Sequence, residues 1–133
     1  KVRIRRRDDE HRIAISIEED ITELKAEGYG SVAVICKTMD ECARLYGMMG
    51  GSAGGLYIIR GSEREYAGGT VVVPSYLAKG LEFDAVIIAG ADDKNYKECE
   101  IDGKLLYVSM TRPLHRLYLY YSGTISPLLK HVE

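Results

Sequence analysis

The spacing of apolar residues changes twice in the first half of the chain. Val2 and Ile4, then Ile13, Ile15 and Ile17, alternate with polar residues. That period of two predicts two short strands joined by a turn around Asp8, Asp9 and Glu10. From Glu18 the spacing becomes helical: Ile21 and Leu24 share a face, and Gly28 and Gly30 stop the run. Glu18, Glu19 and Asp20 fall in the first turn of this helix, where carboxylates complement its dipole. Residues 31–36, SVAVIC, are almost continuously apolar, as in a strand covered on both faces of a parallel sheet.

Residues 39–49 return to helical spacing, with Cys42, Leu45, Tyr46 and Met49 on one side. The glycine-rich residues 47–55 predict a loop or a frayed helix end. Short apolar strands are expected at 56–59, 70–73 (closed by Pro74) and 85–89, with a polar, exposed stretch at 61–69. A helix over 101–111 can bury Leu105, Leu106, Val108 and Met110, and a last strand covers 115–121. Ser126 followed by Pro127 reads as an N-cap with proline at the first helical position. About six strands alternating with helices predict one α/β domain over residues 1–133, with a largely parallel sheet and helices on both faces.

Composition leaves this picture in place. With 133 residues, 46% hydrophobic and 29% charged, the chain is long enough for one buried core and too apolar to be disordered. No apolar run approaches the roughly 18–20 residues of a membrane span. The basic residues 1–7 precede no apolar segment and make no secretory signal. A chain starting at Lys1 is expected to be an internal segment of a longer, cytoplasmic protein. The net charge of −2 argues against a domain that grips nucleic acid mainly through phosphates. The dense basic stretch Arg3, Arg5, Arg6, Arg7 reads first as a solvated strand end. Cys36, Cys42 and Cys99 form no C-x-x-C pair, so neither a zinc site nor a disulfide framework is expected.

Candidate chemistry concentrates in residues 70–89, TVVVPSYLAKGLEFDAVIIA. Two apolar strands flank a polar turn that offers Ser75, Lys79, Gly80 and Glu82. Ligands of parallel sheets gather beyond the carboxyl ends of strands, and this turn leaves one such end. On that ground alone it is either a ligand edge or a surface connection. Asp92 and Asp93, leaving the next strand, read as a solvated turn that could lie by the same edge. The run GMMGGSAGG lacks the lysine that a phosphate loop needs, and His11, His115 and His131 are scattered.

AKGLEFD followed by an apolar strand is similar to motif V of UvrD/Rep-type superfamily 1 helicases. LLYVSMTRPLHRL, residues 105–117, resembles motif VI, and VAVICKT, residues 32–38, resembles the strand that opens the second motor domain. The form PSYLAKGLEFD looks most like the HelD branch, whose members associate with bacterial RNA polymerase. The resemblance implies a second RecA-like motor domain, of P-loop NTPase type but lacking the phosphate-binding loop. ATP with Mg2+ would then be held mainly by an N-terminal RecA-like domain. Arg112 would be the finger toward the γ-phosphate, because a planar guanidinium neutralises charge spreading over phosphoryl oxygens. Glu82 would accept from the ribose, and Gly80 would let backbone approach phosphate. Ser75, Tyr76 and Lys79, with Lys37 and Thr38, would lie along single-stranded DNA. Thr111 would link the arginine loop to motif V. The implied function is an ATP-dependent DNA helicase or translocase, in which this domain does not hydrolyse ATP alone. The alternative is a module that remodels RNA polymerase with nucleotide as its switch. A generic α/β domain is the third reading, and it predicts that Glu82 and Arg112 lie far apart. Pro113 departs from the family's usual alanine and disfavours helical φ/ψ at Arg112, so the finger is expected to leave its helix early.

Overall fold

A computed structural model describes residues 2–50, 56–61 and 68–130. The glycine-rich run beyond Gly50, most of the polar stretch 61–69 and His131 lie outside the described residues. Six strands form one parallel sheet: β1 (Val2–Arg6), β2 (Ser31–Cys36), β3 (Tyr57–Ile58), β4 (Gly69–Pro74), β5 (Phe83–Ala89) and β6 (Pro113–Tyr121). Their spatial order is β1-β6-β5-β2-β4-β3, and every pair is parallel. Helices α1 (Glu10–Ala26), α2 (Met39–Met49) and α3 (Glu100–Met110) connect them, with short 3-10 turns at Ser75–Leu77 and Pro127–Leu129.

The sheet is covered on both faces. Ile13, Ile17, Ile21 and Leu24 of α1 and Cys42, Leu45 and Met49 of α2 pack on Val34, Val72, Ile87 and Tyr120. Leu106 of α3, Tyr96 and Leu129 pack on the other face against Ile35, Val73, Phe83, Ile88 and Leu119. The central strands therefore have no polar face, which is why β2 and β5 read as continuous apolar runs. No helix among the described residues is long and apolar enough to cross a membrane.

The largest departure from the sequence reading is at the N-terminus. Residues 13–17 are not a second strand but the second turn of α1, which starts at Glu10 rather than Glu18. Asp9 is the N-cap and accepts from the Arg12 N–H at 2.9 Å. The alternation of Ile13, Ile15 and Ile17 concealed a second pattern: Ile13, Ala14, Ile17, Ile21 and Leu24 recur at helical spacing and are buried. Ile15, which only the strand reading needs inside, is 50% exposed.

The basic stretch is also not simply solvated. The Arg3 guanidinium lies 3.8 Å above the Tyr118 ring and pairs with Asp20 at 3.4 Å. Arg7 donates to Ser16 Oγ at 2.8 Å. Asp20, on the buried face of α1, also accepts from the Tyr120 hydroxyl at 2.5 Å. Burial raises the Asp20 carboxyl above its ordinary range despite this donor and the nearby arginines. The Tyr120 phenol is pushed up to about 12 by its own burial and by the carboxylate beside it. Arg5 and Arg6 remain exposed.

Candidate functional site

Parallel strands give the sheet two unlike edges. Strand β5, seven residues long, separates them by about 20 Å. The carboxyl edge carries the ends of β2 and β4 and the starts of α1, α2 and α3; the amino edge carries the starts of β5 and β6 and the end of α3. Residues 75–82 leave β4 at the carboxyl edge and enter β5 at the amino edge. They cross the same face as α3, where Leu77, Ala78 and Leu81 join the core. The turn after β4 is thus not one ligand edge, as its sequence implied. It joins two edges.

At the amino edge the structure brings Arg112 and Glu82 together. Helix α3 ends at Met110, with Thr111 as its C-cap at φ −100°, so Arg112 stands outside the helix. Pro113 is the first residue of β6, where a missing N–H costs least. The Phe83 N–H donates to the Arg112 carbonyl at 3.2 Å, and Arg112 Nη1 donates to the Leu81 carbonyl at 3.4 Å, so Glu82 lies between two residues tied to Arg112. A domain unrelated to the motif reading would keep the two residues apart, and that third alternative fails on this geometry. Arg112 Nε also donates to the Val108 carbonyl at 2.9 Å, and Nη2 to Thr111 Oγ1 at 3.2 Å. The guanidinium thereby caps the negative end of α3. Glu82 is exposed and its carboxylate has no partner among the described residues.

Gly80 has φ +84° and follows Lys79 in a turn closed by the Leu81 N–H to the Ala78 carbonyl at 3.0 Å. Positive φ at the third position of such a turn is what selects glycine. A Cβ there would meet nothing within 4 Å, so the space beside Gly80 is open as well. The Thr111 hydroxyl makes no hydrogen bond to residues 75–82 among the described residues. It donates back to the Tyr107 and Val108 carbonyls at 3.0 Å, and the link to that segment is made by Arg112.

At the carboxyl edge the five residues expected along nucleic acid divide. Tyr76 is 56% exposed and Lys79, further along the crossing segment, is also exposed. Ser75 is buried and donates to the Lys37 carbonyl at 2.9 Å. The Thr38 hydroxyl caps α2, accepting from the Glu41 N–H at 3.2 Å while Glu41 reaches back to the Thr38 N–H. Lys37 Nζ sits 2.8 Å from Asp102 Oδ1. Ser75, Lys37 and Thr38 are thus engaged by the fold. Asp92 lies at this edge too, opposite Arg112 rather than near it, and organises its own turn through the Lys94 and Asn95 N–H groups.

Three carboxylates that no motif singles out hold the frame around the site. Asp84 accepts from the Gly30 and Ser31 N–H groups at 2.9 and 3.2 Å, fixing the start of β5 against β2. Asp102 pairs with Lys37, which holds its carboxyl below the usual range. Asp20 anchors α1 to β6. No spacing rule finds them, because their partners lie far away along the chain.

Residues 69–120, from the start of β4 nearly to the end of β6, match the family model described as UvrD-like helicase C-terminal domain. Both motif segments and Arg112 lie within that span. The crystal structure of the C-terminal domain of a possible DNA helicase from Lactobacillus plantarum WCFS1 is similar over 98% of this chain and 80% of that one. The identity is 32% and the TM-score 0.85. The chain belongs to the UvrD-like helicase C-terminal domains. No curated protein matches it. As a helicase C-terminal domain it has the RecA-like α/β fold, here an all-parallel six-stranded sheet between helices.

Proposed function

We propose that this domain is the second motor domain of an ATP-dependent DNA helicase or translocase. Its amino edge faces the nucleotide and its carboxyl edge faces single-stranded DNA. ATP and Mg2+ are held mainly by an N-terminal RecA-like domain that carries the phosphate-binding loop. The observation that carries this reading is the convergence of Arg112 and Glu82 at the amino edge of β5 and β6.

Each residue then has a defined task. Arg112 supplies the guanidinium that meets the transferring phosphoryl group; three of its bonds now go to Val108, Leu81 and Thr111, and it exchanges some of them for phosphate oxygens. Glu82, exposed and without a partner among the described residues, accepts from the ribose hydroxyls. Gly80 keeps the crossing segment open to close backbone approach. Tyr76 offers a ring to a base and Lys79 an ammonium to the backbone phosphates. Thr111 orients Arg112 through Nη2. Carboxylates of the N-terminal domain, not residues of this chain, would hold Mg2+, which would supply positive charge against the phosphates.

ATP hydrolysis by the full-length protein, with and without single-stranded DNA, tests this reading. Glu82→Gln is expected to raise KM for ATP roughly 3- to 10-fold with little change in kcat, because a ribose contact acts about equally in ground and transition states. An unchanged KM removes Glu82 from the nucleotide site. Absence of DNA stimulation, together with co-purification of RNA polymerase, favours the HelD-like alternative.

A further inference from the structure

Helix α3 and residues 75–82 lie on the same face of the sheet and are tied together at both ends. At the amino edge the tie is Arg112 to the Leu81 carbonyl. At the carboxyl edge it is a relay: Ser75 Oγ donates to the Lys37 carbonyl at 2.9 Å, and Lys37 Nζ is 2.8 Å from Asp102 Oδ1 in the first turn of α3. The other carboxylate oxygen of Asp102 accepts from the Lys97 N–H at 2.7 Å. Asp102 is almost fully buried, with a side-chain exposure of 6%, and Lys37 retains only 23%. The ammonium also lies 6.0 Å from the centre of the buried Tyr96 ring.

This arrangement is more than an N-terminal cap. The N-cap residue of α3, Cys99, makes no side-chain capping bond, and both oxygens of Asp102 are bonded to groups outside α3. An eleven-residue helix is about 16 Å long and moves as one body, so whatever fixes its start also fixes Arg112 two residues past its end.

We propose that Asp102, through its ion pair with Lys37, is a positioning residue for the Arg112 finger. The pair fixes α3 along the sheet face, and so sets how the guanidinium meets the transferring phosphoryl group. The proposal rests on the nucleotide reading of Arg112 given above. It gives Lys37 a task inside the fold in place of direct contact with DNA.

Steady-state ATP hydrolysis by the full-length protein tests it, with Asp102→Asn, Asp102→Glu and Arg112→Ala compared at a temperature where thermal unfolding shows each to be folded. Asp102→Glu keeps the charge and adds one methylene, so it displaces the helix without emptying the ion pair. Misplacement on the ångström scale costs up to about 100-fold in rate. Both Asp102 variants are therefore expected to lose roughly 10- to 100-fold in kcat, with KM for ATP within about twofold of wild type. A role confined to stability leaves kcat of the folded Asp102→Glu protein at the wild-type level, and that result overturns the proposal. So does a change confined to KM. If Arg112→Ala abolishes turnover while the Asp102 variants keep it, only the positioning role falls. If Arg112→Ala keeps full turnover, the nucleotide reading falls and the positioning role with it.

Discussion

Arg112→Ala in the full-length protein is expected to lower kcat for ATP by about 10³-fold or more, the scale at which arginine fingers act on phosphoryl transfer. In the proposed two-domain nucleotide site the developing charge would be met by fixed groups shielded from water, so solvent would not offset the loss of one guanidinium. Lysine is not an adequate replacement. It retains the charge but not the planar fork that here reaches Val108, Leu81 and Thr111 together. Arg112→Lys should therefore stay within about tenfold of alanine. Arg112→Ala also removes a cation from the C-terminus of α3, at a stability cost of only about 0.3–1 kcal/mol. A large loss of turnover with a small loss of stability separates a chemical role from a structural one. Stopped-flow or coupled ATP hydrolysis, beside urea unfolding of the same preparation, reads both quantities.

Phe83→Ala should be the most damaging single truncation near the site, at about 3–5 kcal/mol. Phe83 is the chain's one phenylalanine and is fully buried. It opens β5, and its N–H holds the Arg112 carbonyl. The pairing of β5 with β6 shifts register between Phe83 and Ala85, so the ring turns to the α3 face while Ala85 faces α1. Its removal leaves a cavity beneath the end of α3, where packing fixes Arg112. Against a typical domain stability of about 5–15 kcal/mol, the loss takes a large share. The midpoint of urea unfolding is expected to fall well below that of wild type. A shift worth less than about 1 kcal/mol would show that the start of β5 is held by the Asp84 bonds rather than by the ring.

The sheet was legible in the sequence where burial on two faces leaves little choice. Ser31–Cys36 and the apolar runs entering β4 and β5 read as strands because no polar face interrupts them. Helix α2 was legible through its periodicity, and the structure adds a Thr38–Glu41 capping box. The start of α1 was not, because Ile13, Ile15 and Ile17 satisfy two periods at once and only the exposure of Ile15 decides between them. In the site, Arg112 and Glu82 could be picked out by motif, but the edge they occupy could not. The eight residues 75–82 carry the chain from one edge to the other, and the connection contains no long helix that would announce it. Ser75 and Lys37 look like ligand contacts for the same reason. Their partners, the Lys37 carbonyl and Asp102, are 38 and 65 positions away, and polar residues near a strand end read as solvent-facing until such partners are known.

The division of the domain into a nucleotide edge and a nucleic-acid edge is tested most directly by amide hydrogen exchange on the full-length protein. The bound probes are a non-hydrolysable ATP analogue with Mg2+, and separately a single-stranded oligonucleotide. The analogue should slow exchange at residues 80–83 and at Thr111 and Arg112, and the oligonucleotide at residues 76–79. Protection by the analogue at the carboxyl edge, around Thr38 and residues 90–95, with Thr111 and Arg112 unchanged, would contradict the account.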